Sequence, residues 1–179
     1  MPIVVANRYA RALADVIART GEYRKTLQEL EGLLAVYRES AELREVCASP
    51  TVALGDKQKV LETLLGMLGA SPTTVNFARV LARNYRMALL QEIVEAFRKI
   101  AYDRLGVAQV KISSAAELTE AERELLRRRF GELTRRQVEL DFHLEPGLVG
   151  GIVAQIGSTI YDGSVRGHLE RIREQLTAR

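Results

Sequence analysis

The sequence predicts a mainly α protein, an N-terminal six-helix bundle over residues 1–105 followed by a small α+β domain over 106–179. Three observations carry that reading. Apolar residues recur at helical spacing from Val4 to Leu105 with glycine and proline as punctuation, the period changes to alternation just after Gly106, and the last third is rich in hairpin chemistry. Six helices joined by short loops fit a bundle, and a strand-helix-strand pattern followed by a hairpin fits a sheet with helices packed on it.

The first helix places Val5, Tyr9, Leu13, Val16 and Ile17 on one stripe and Ala6, Ala10, Ala14 and Ala18 on another, and Gly21 ends it. Small residues at every fourth position let a second helix come close, so this helix can pack on its own bundle and leave a groove beside it. A second helix runs from about Glu22 to Arg38 with Leu27, Leu30, Leu34 and Tyr37 inward, and a short third covers Ala41 to Ala48. The fourth opens at Leu54-Gly55-Asp56 and is expected to bury Val60, Leu61, Leu64, Leu65 and Leu68 before Gly69 stops it. Ser71-Pro72 reads as a cap with proline at the first helical position of a fifth helix carrying Val75, Phe77, Ala78, Val80, Leu81 and Ala82. A sixth presents Leu90, Ile93, Phe97 and Ile100.

Beyond Gly106, Val107 to Ile112 alternates like a half-buried strand. Thr119 with Glu122 forms a capping box, which starts a helix from Glu120 to about Arg135 with Ala121, Leu125, Phe130 and Leu133 as its apolar side. Val138, Leu140, Phe142 and Leu144 then alternate with charged residues. Ile152–Ile156 and Thr159–Tyr161 flank the two-residue loop Gly157-Ser158, a hairpin signal. Asp162-Gly163-Ser164 breaks the second strand and caps a last helix from Val165 to Leu176.

Composition excludes several functions. No apolar run approaches the roughly 18 residues of a membrane-spanning helix, and the N-terminus lacks a secretory pattern, so a soluble cytoplasmic protein is expected. Net charge is +3, with 15 Lys+Arg against 12 Asp+Glu in residues 1–106 and 11 against 11 in the rest, short of a dedicated nucleic-acid binder. The lone Cys47 excludes an internal disulfide and reads as a small apolar filler. Gly147 to Gly151 is not followed by the Lys-Ser/Thr pair that grips phosphate, and His143 and His168 have no ligand-spaced companions. No serine sits in a nucleophile elbow. Neither catalytic residue, cofactor nor metal is expected. The arginines Arg127-Arg128-Arg129 and Arg135-Arg136 are interleaved with Glu122, Glu124 and Glu132 and have no aromatic stacking platform, so a solvated face is the simpler reading than RNA.

Four stretches then carry a resemblance over nearly the whole chain: NRYARAL from Asn7, NFARVLARNYR from Asn76, VKISSAAELT from Val110, and EPGLVGGIVAQIGSTIYDGSVRGHLERI from Glu145. The chain resembles the delta subunit of bacterial F-type ATP synthases, similar to the mitochondrial oligomycin-sensitivity-conferring protein. Glu145 and Val149 stand where that family usually has aspartate and isoleucine.

The resemblance implies a non-catalytic stator subunit, one copy per complex, that couples proton transport to ATP synthesis. Its helical domain would bind N-terminal segments of the alpha subunits on top of the catalytic head, and its C-terminal domain the peripheral-stalk b subunits. The alpha contact would use a groove between the first and fifth helices, which by motif position puts Tyr9, Ala12, Leu13, Val16, Phe77, Val80 and Leu81 near it. Gly150, Gly151, Asp162, Gly163 and Ser164 are read as the backbone devices that fold the C-terminal domain. The expected place is the cytoplasmic face of the bacterial plasma membrane, peripherally and without membrane insertion. Two other readings use the same residues: an unrelated helical adaptor binding proteins through that groove, and an RNA-binding regulator using the Arg127–Arg136 face.

Overall fold

The computed structural model describes residues 2–169, and the chain divides into two compact units, Met1–Leu105 and Gly106–Arg179. Most of the described chain is helical, with one small four-stranded sheet.

The first unit holds α1 (Pro2–Ile17), α2 (Tyr23–Glu39), α3 (Ala41–Ala48), α4 (Leu54–Met67), α5 (Pro72–Arg83) and α6 (Leu90–Leu105), with a 3-10 turn at Met87–Leu89 leading into α6. Gly21, at φ +70°, ends α1 by donating its N–H to the Ile17 carbonyl at 2.9 Å, a left-handed position that glycine takes without a Cβ penalty. Ala6, Ala10 and Ala14 are buried together with Leu13 and Ile17. Their small side chains let α1 lie close against α6, its principal partner. The alanine stripe is therefore interior packing up to Ala14, and Ala18 has already turned to solvent. Leu30, Leu33, Leu61, Leu65, Leu90, Ile93, Val94 and Phe97 complete the interior.

Two elements of this unit depart from the sequence reading. In α4 only Leu61 and Leu65 of the expected stripe are fully buried, while Val60 and Leu68 lie at the surface. The position one turn earlier goes instead to Lys57, 1% exposed. Its ammonium donates to the carbonyls of Cys47 at 3.1 Å and Ser49 at 2.6 Å and faces the Tyr85 ring at 4.9 Å. Those carbonyls lie at the C-terminal end of α3, where helical acceptors lack partners and a cation is favourable. The second departure concerns Ser71, which precedes α5 but makes no side-chain cap to it.

The second unit runs β1 (Val107–Ser114), α7 (Glu120–Thr134), β2 (Gln137–Leu144), a 3-10 turn at Pro146–Leu148, β3 (Ile152–Ile156) and β4 (Thr159–Asp162). Strand order is β2-β1-β3-β4. β1 and β2 are parallel, so α7 serves as the crossover that parallel neighbours require. β3 pairs antiparallel with both β1 and β4. Register puts Val110, Leu140 and Ile156 side by side, then Ile112, Phe142 and Ala154, which makes one apolar face. The other face carries Gln109, Lys111, Glu139, Asp141 and Gln155 and stays wet, as a two-layer unit allows.

The capping box forms: Thr119 N–H donates to the Glu122 carboxylate at 2.8 Å and Glu122 N–H to the Thr119 hydroxyl at 3.4 Å. The Thr119 hydroxyl also donates to that carboxylate at 2.7 Å, and this bond, then the one from the Thr119 backbone N–H, holds the Glu122 carboxyl below the usual carboxylate range. α7 is rotated from the expected orientation. Leu126 and Phe130 pack on the sheet, helped by Leu118 before the helix and by the Arg123 guanidinium over the Phe142 ring, while Leu125 and Leu133 remain more than half exposed. Residues 123, 126, 130 and 134 form the true helical stripe, and Leu125 sits about 100° from Leu126 around the axis. Leu144, at the end of β2, is likewise exposed. Residues 165–169 are helical; the remainder of the expected last helix, with Ile172 and Leu176, lies outside the described residues.

Candidate functional site

A groove of about 360 Å³ opens between α1 and α5. Its lining comes from Tyr9, Ala12, Leu13 and Val16 on one helix and Thr73, Asn76, Phe77 and Val80 on the other. Both sets have the spacing i, i+3, i+4, i+7, which places four side chains of a helix on one face. Leu13 and Phe77 are nearly buried and form the floor, while Val16 at 63% and Val80 at 45% exposure stand at the rim. Tyr9 is half-buried. Such a trough, apolar below and open above, is the shape that accepts the apolar face of an amphipathic helix.

Of the residues singled out from sequence, six lie on this lining. Leu81 does not: it is fully buried behind Phe77, on the side of α5 that faces the interior. Thr73 and Asn76 line the groove and were missed because they are polar. Their spacing relative to Phe77 and Val80, identical to that of the α1 set, is the signal that could have found them.

The α5 wall is held from outside the groove. Arg79 donates through Nε to Glu62 of α4 at 2.8 Å and through Nη1 to the Asn76 side-chain carbonyl at 3.0 Å, so one guanidinium ties α5 to α4 and orients a lining amide. The hydrogen bond from Arg79 holds the Glu62 carboxyl below its usual range. On α2, Glu31 accepts two bonds from Arg98 of α6, at 3.0 and 2.7 Å.

In the second unit the glycine-rich corner is a backbone lock. Gly163 N–H donates to Ile152 O and Val165 N–H to Gly150 O, both at 3.0 Å. Asp162 accepts from Ser164 N–H at 2.9 Å and Ser164 Oγ at 2.7 Å, while Ser164 Oγ accepts from Gly167 N–H at 3.0 Å. Gly151 sits at φ +78°, and a Cβ there would overlap the Gly163 carbonyl and lie 3.1 Å from Ser164 Cα. Two chain segments thus meet too closely for any residue but glycine.

Arg127 pairs with Glu124 and Arg129 reaches Glu132 at 4.0 Å, so part of the α7 arginine run is neutralised along its own helix. Among the described residues no cluster of His, Cys, Asp or Glu is placed to hold a metal, and no helix is long and apolar enough to cross a membrane. Burial raises the Cys47 thiol above its ordinary pKa, with nearby Lys57 opposing the shift. A thiol so placed is a poor nucleophile at neutral pH.

Residues 5–176 match the family model described as ATP synthase delta (OSCP) subunit. The chain belongs to that family. A delta subunit of ATP synthase from Acidobacterium capsulatum is 41% identical over 175 residues, covering 97% of this chain and 98% of that protein. One from Myxococcus xanthus is 34% identical over 179 residues, covering 99% and 98%. The fold is shared with a chain of the Toxoplasma gondii mitochondrial ATP synthase hexamer, at a TM-score of 0.75 and 23% identity over 97% of this chain and 98% of that one. As a member of the delta (OSCP) family the chain is a non-catalytic, structural subunit of the F-type ATP synthase.

Proposed function

We propose that the chain is the stator link at the top of the ATP synthase, its six-helix bundle holding an N-terminal segment of an alpha subunit and its second unit holding the b subunits of the peripheral stalk, on the cytoplasmic face of the plasma membrane. The observation that carries the reading is the α1/α5 groove, a helix-sized trough with Leu13 and Phe77 as floor and Tyr9, Val16 and Val80 within reach of a guest. An apolar helix laid in such a groove buries about 800 Å² per partner, and a few aromatic or aliphatic anchors dominate its affinity. For the b contact, support comes from exposed Leu125 and Leu133 on the outer side of α7 and from Ile160 and Tyr161 on edge strand β4. A stator link works by holding the head against rotor torque, so tight and rigid contacts at both ends replace chemistry.

The test is reconstitution. Membranes stripped of this subunit, purified catalytic heads and the chain are combined, and ATP-driven proton pumping is followed by quenching of a pH-sensitive dye. Recovery of pumping on adding the chain is the expected result. No recovery, with a native delta subunit restoring pumping in parallel, would defeat the proposal.

A further inference from the structure

Serine before a helix ordinarily accepts a hydrogen bond from the second or third backbone N–H. Ser71 instead uses its groups as donors toward a different helix: its backbone N–H donates to one carboxylate oxygen of Glu29 on α2 at 3.0 Å, and its hydroxyl to the other at 2.7 Å. The hydroxyl of Thr74, which is fully buried, donates to the same carboxylate. Ser71, just before α5, and Thr74, in its first turn, are therefore both tied to α2, by three hydrogen bonds to one carboxylate. A carboxylate at this place also meets the positive end of the α5 dipole, and bonds to an ionised acceptor are the stronger kind. Thr73, between the two residues so held, lines the groove, and Asn76, Phe77 and Val80 follow on the same helix. Glu29 itself is not part of the lining.

The geometry points to Glu29 as the positioning residue that fixes the α5 wall of the groove and thereby sets how tightly the groove takes an apolar helix. This rests on the reading of the groove as the alpha-subunit site. The facing wall needs no such clamp, because α1 is seated on α6 by its buried alanines. Without the carboxylate the first turn of α5 frays, and a guest must restore it on binding. The apparent affinity then falls by the fraction of molecules in which the wall is formed.

The experiment titrates the full-length chain with a synthetic peptide of the alpha-subunit N-terminal segment from the same organism, by calorimetry, and reads amide exchange over residues 71–77. Glu29→Ala is expected to weaken binding about tenfold, the scale of a lost cap, and to speed exchange over that turn. Glu29→Gln, which keeps the shape and loses the charge, is expected to weaken it about threefold. Thr74→Val removes one donor without changing the outline and supplies a second route if Glu29→Ala fails to fold, with about a twofold loss expected. Glu31→Ala removes a different tie of α2, to Arg98, and should leave affinity unchanged, which separates positioning from general loosening. Unchanged affinity in both Glu29→Gln and Thr74→Val would overturn the inference, as would an equal loss in Glu31→Ala. Failure of the wild-type chain to bind the peptide would overturn the groove reading as well, a result distinct from normal binding that ignores Glu29.

Discussion

In the unit that ends at Leu105, side chains from six helices converge on one interior, and even a lysine is drawn in and satisfied there. Among the described residues of the unit that begins at Gly106, the buried centre of the core cluster is Val110, Ile112 and Ala154, one layer between a sheet and α7. The second unit compensates with local chemistry: a capping box on α7, a tight hairpin, and a glycine corner locked by backbone bonds. The difference teaches that the first unit is ordered chiefly by buried volume and the second chiefly by turn geometry. Substitutions that remove volume should therefore hurt the first most, and substitutions that disturb φ or caps should mark the second.

The largest effect should come from Phe97→Ala, which empties a fully buried site in the first unit and is expected to cost about 3–5 kcal/mol in urea unfolding followed by helical circular dichroism. A loss under about 1 kcal/mol would break the contrast. Next, Lys57→Met keeps the volume but strands the carbonyls of Cys47 and Ser49, at a cost of about 2–4 kcal/mol. Gly151→Ala tests the other side of the comparison. It adds a single methyl group, yet the positive φ and the nearby Gly163 carbonyl should make it cost about 2–3 kcal/mol, with faster amide exchange confined to the hairpin and the 163–165 segment. The smallest effect is Thr119→Ala, a loss of about one helix cap. Because the Glu122 carboxyl is held below its usual range in the folded chain, its contribution is present above the ordinary carboxylate pKa and is lost as pH falls through the lowered one. An NMR titration of Glu122 should show that low midpoint in the wild type and a midpoint moved back toward the ordinary range in Thr119→Ala, which keeps the backbone N–H bond to the carboxylate.

Periodicity and turn chemistry made the helical segments, the strands and the Gly157-Ser158 hairpin readable, because repeats of about 3.6 and 2.0 residues distinguish helix from strand. Side-chain rotation was less readable. On α7, leucines 125 and 126 are adjacent in sequence, and only the fit of Leu126, Phe130 and Arg123 against the sheet decides which one turns inward. Long-range polar contacts were illegible: nothing near Lys57 announces the carbonyls ten and eight residues before it, and nothing near Ser71 announces Glu29, 42 residues away. Val149, exposed and β-branched at φ +65°, is likewise a backbone choice that composition does not reveal. In the groove, apolar residues could be named from the motifs, whereas Thr73 and Asn76, being polar, are betrayed only by their spacing from Phe77 and Val80.

The central claim is that the α1/α5 groove holds the alpha subunit, and the most direct measurement is the affinity of an alpha N-terminal peptide for wild-type chain and for Tyr9→Ala. Tyr9 stands half-buried at the groove and packs against the edge of the first unit's core, so the truncation removes guest contact with little loss of interior. Binding about tenfold weaker is expected in a variant that remains folded. Equal affinity of the folded variant and the wild type would contradict it.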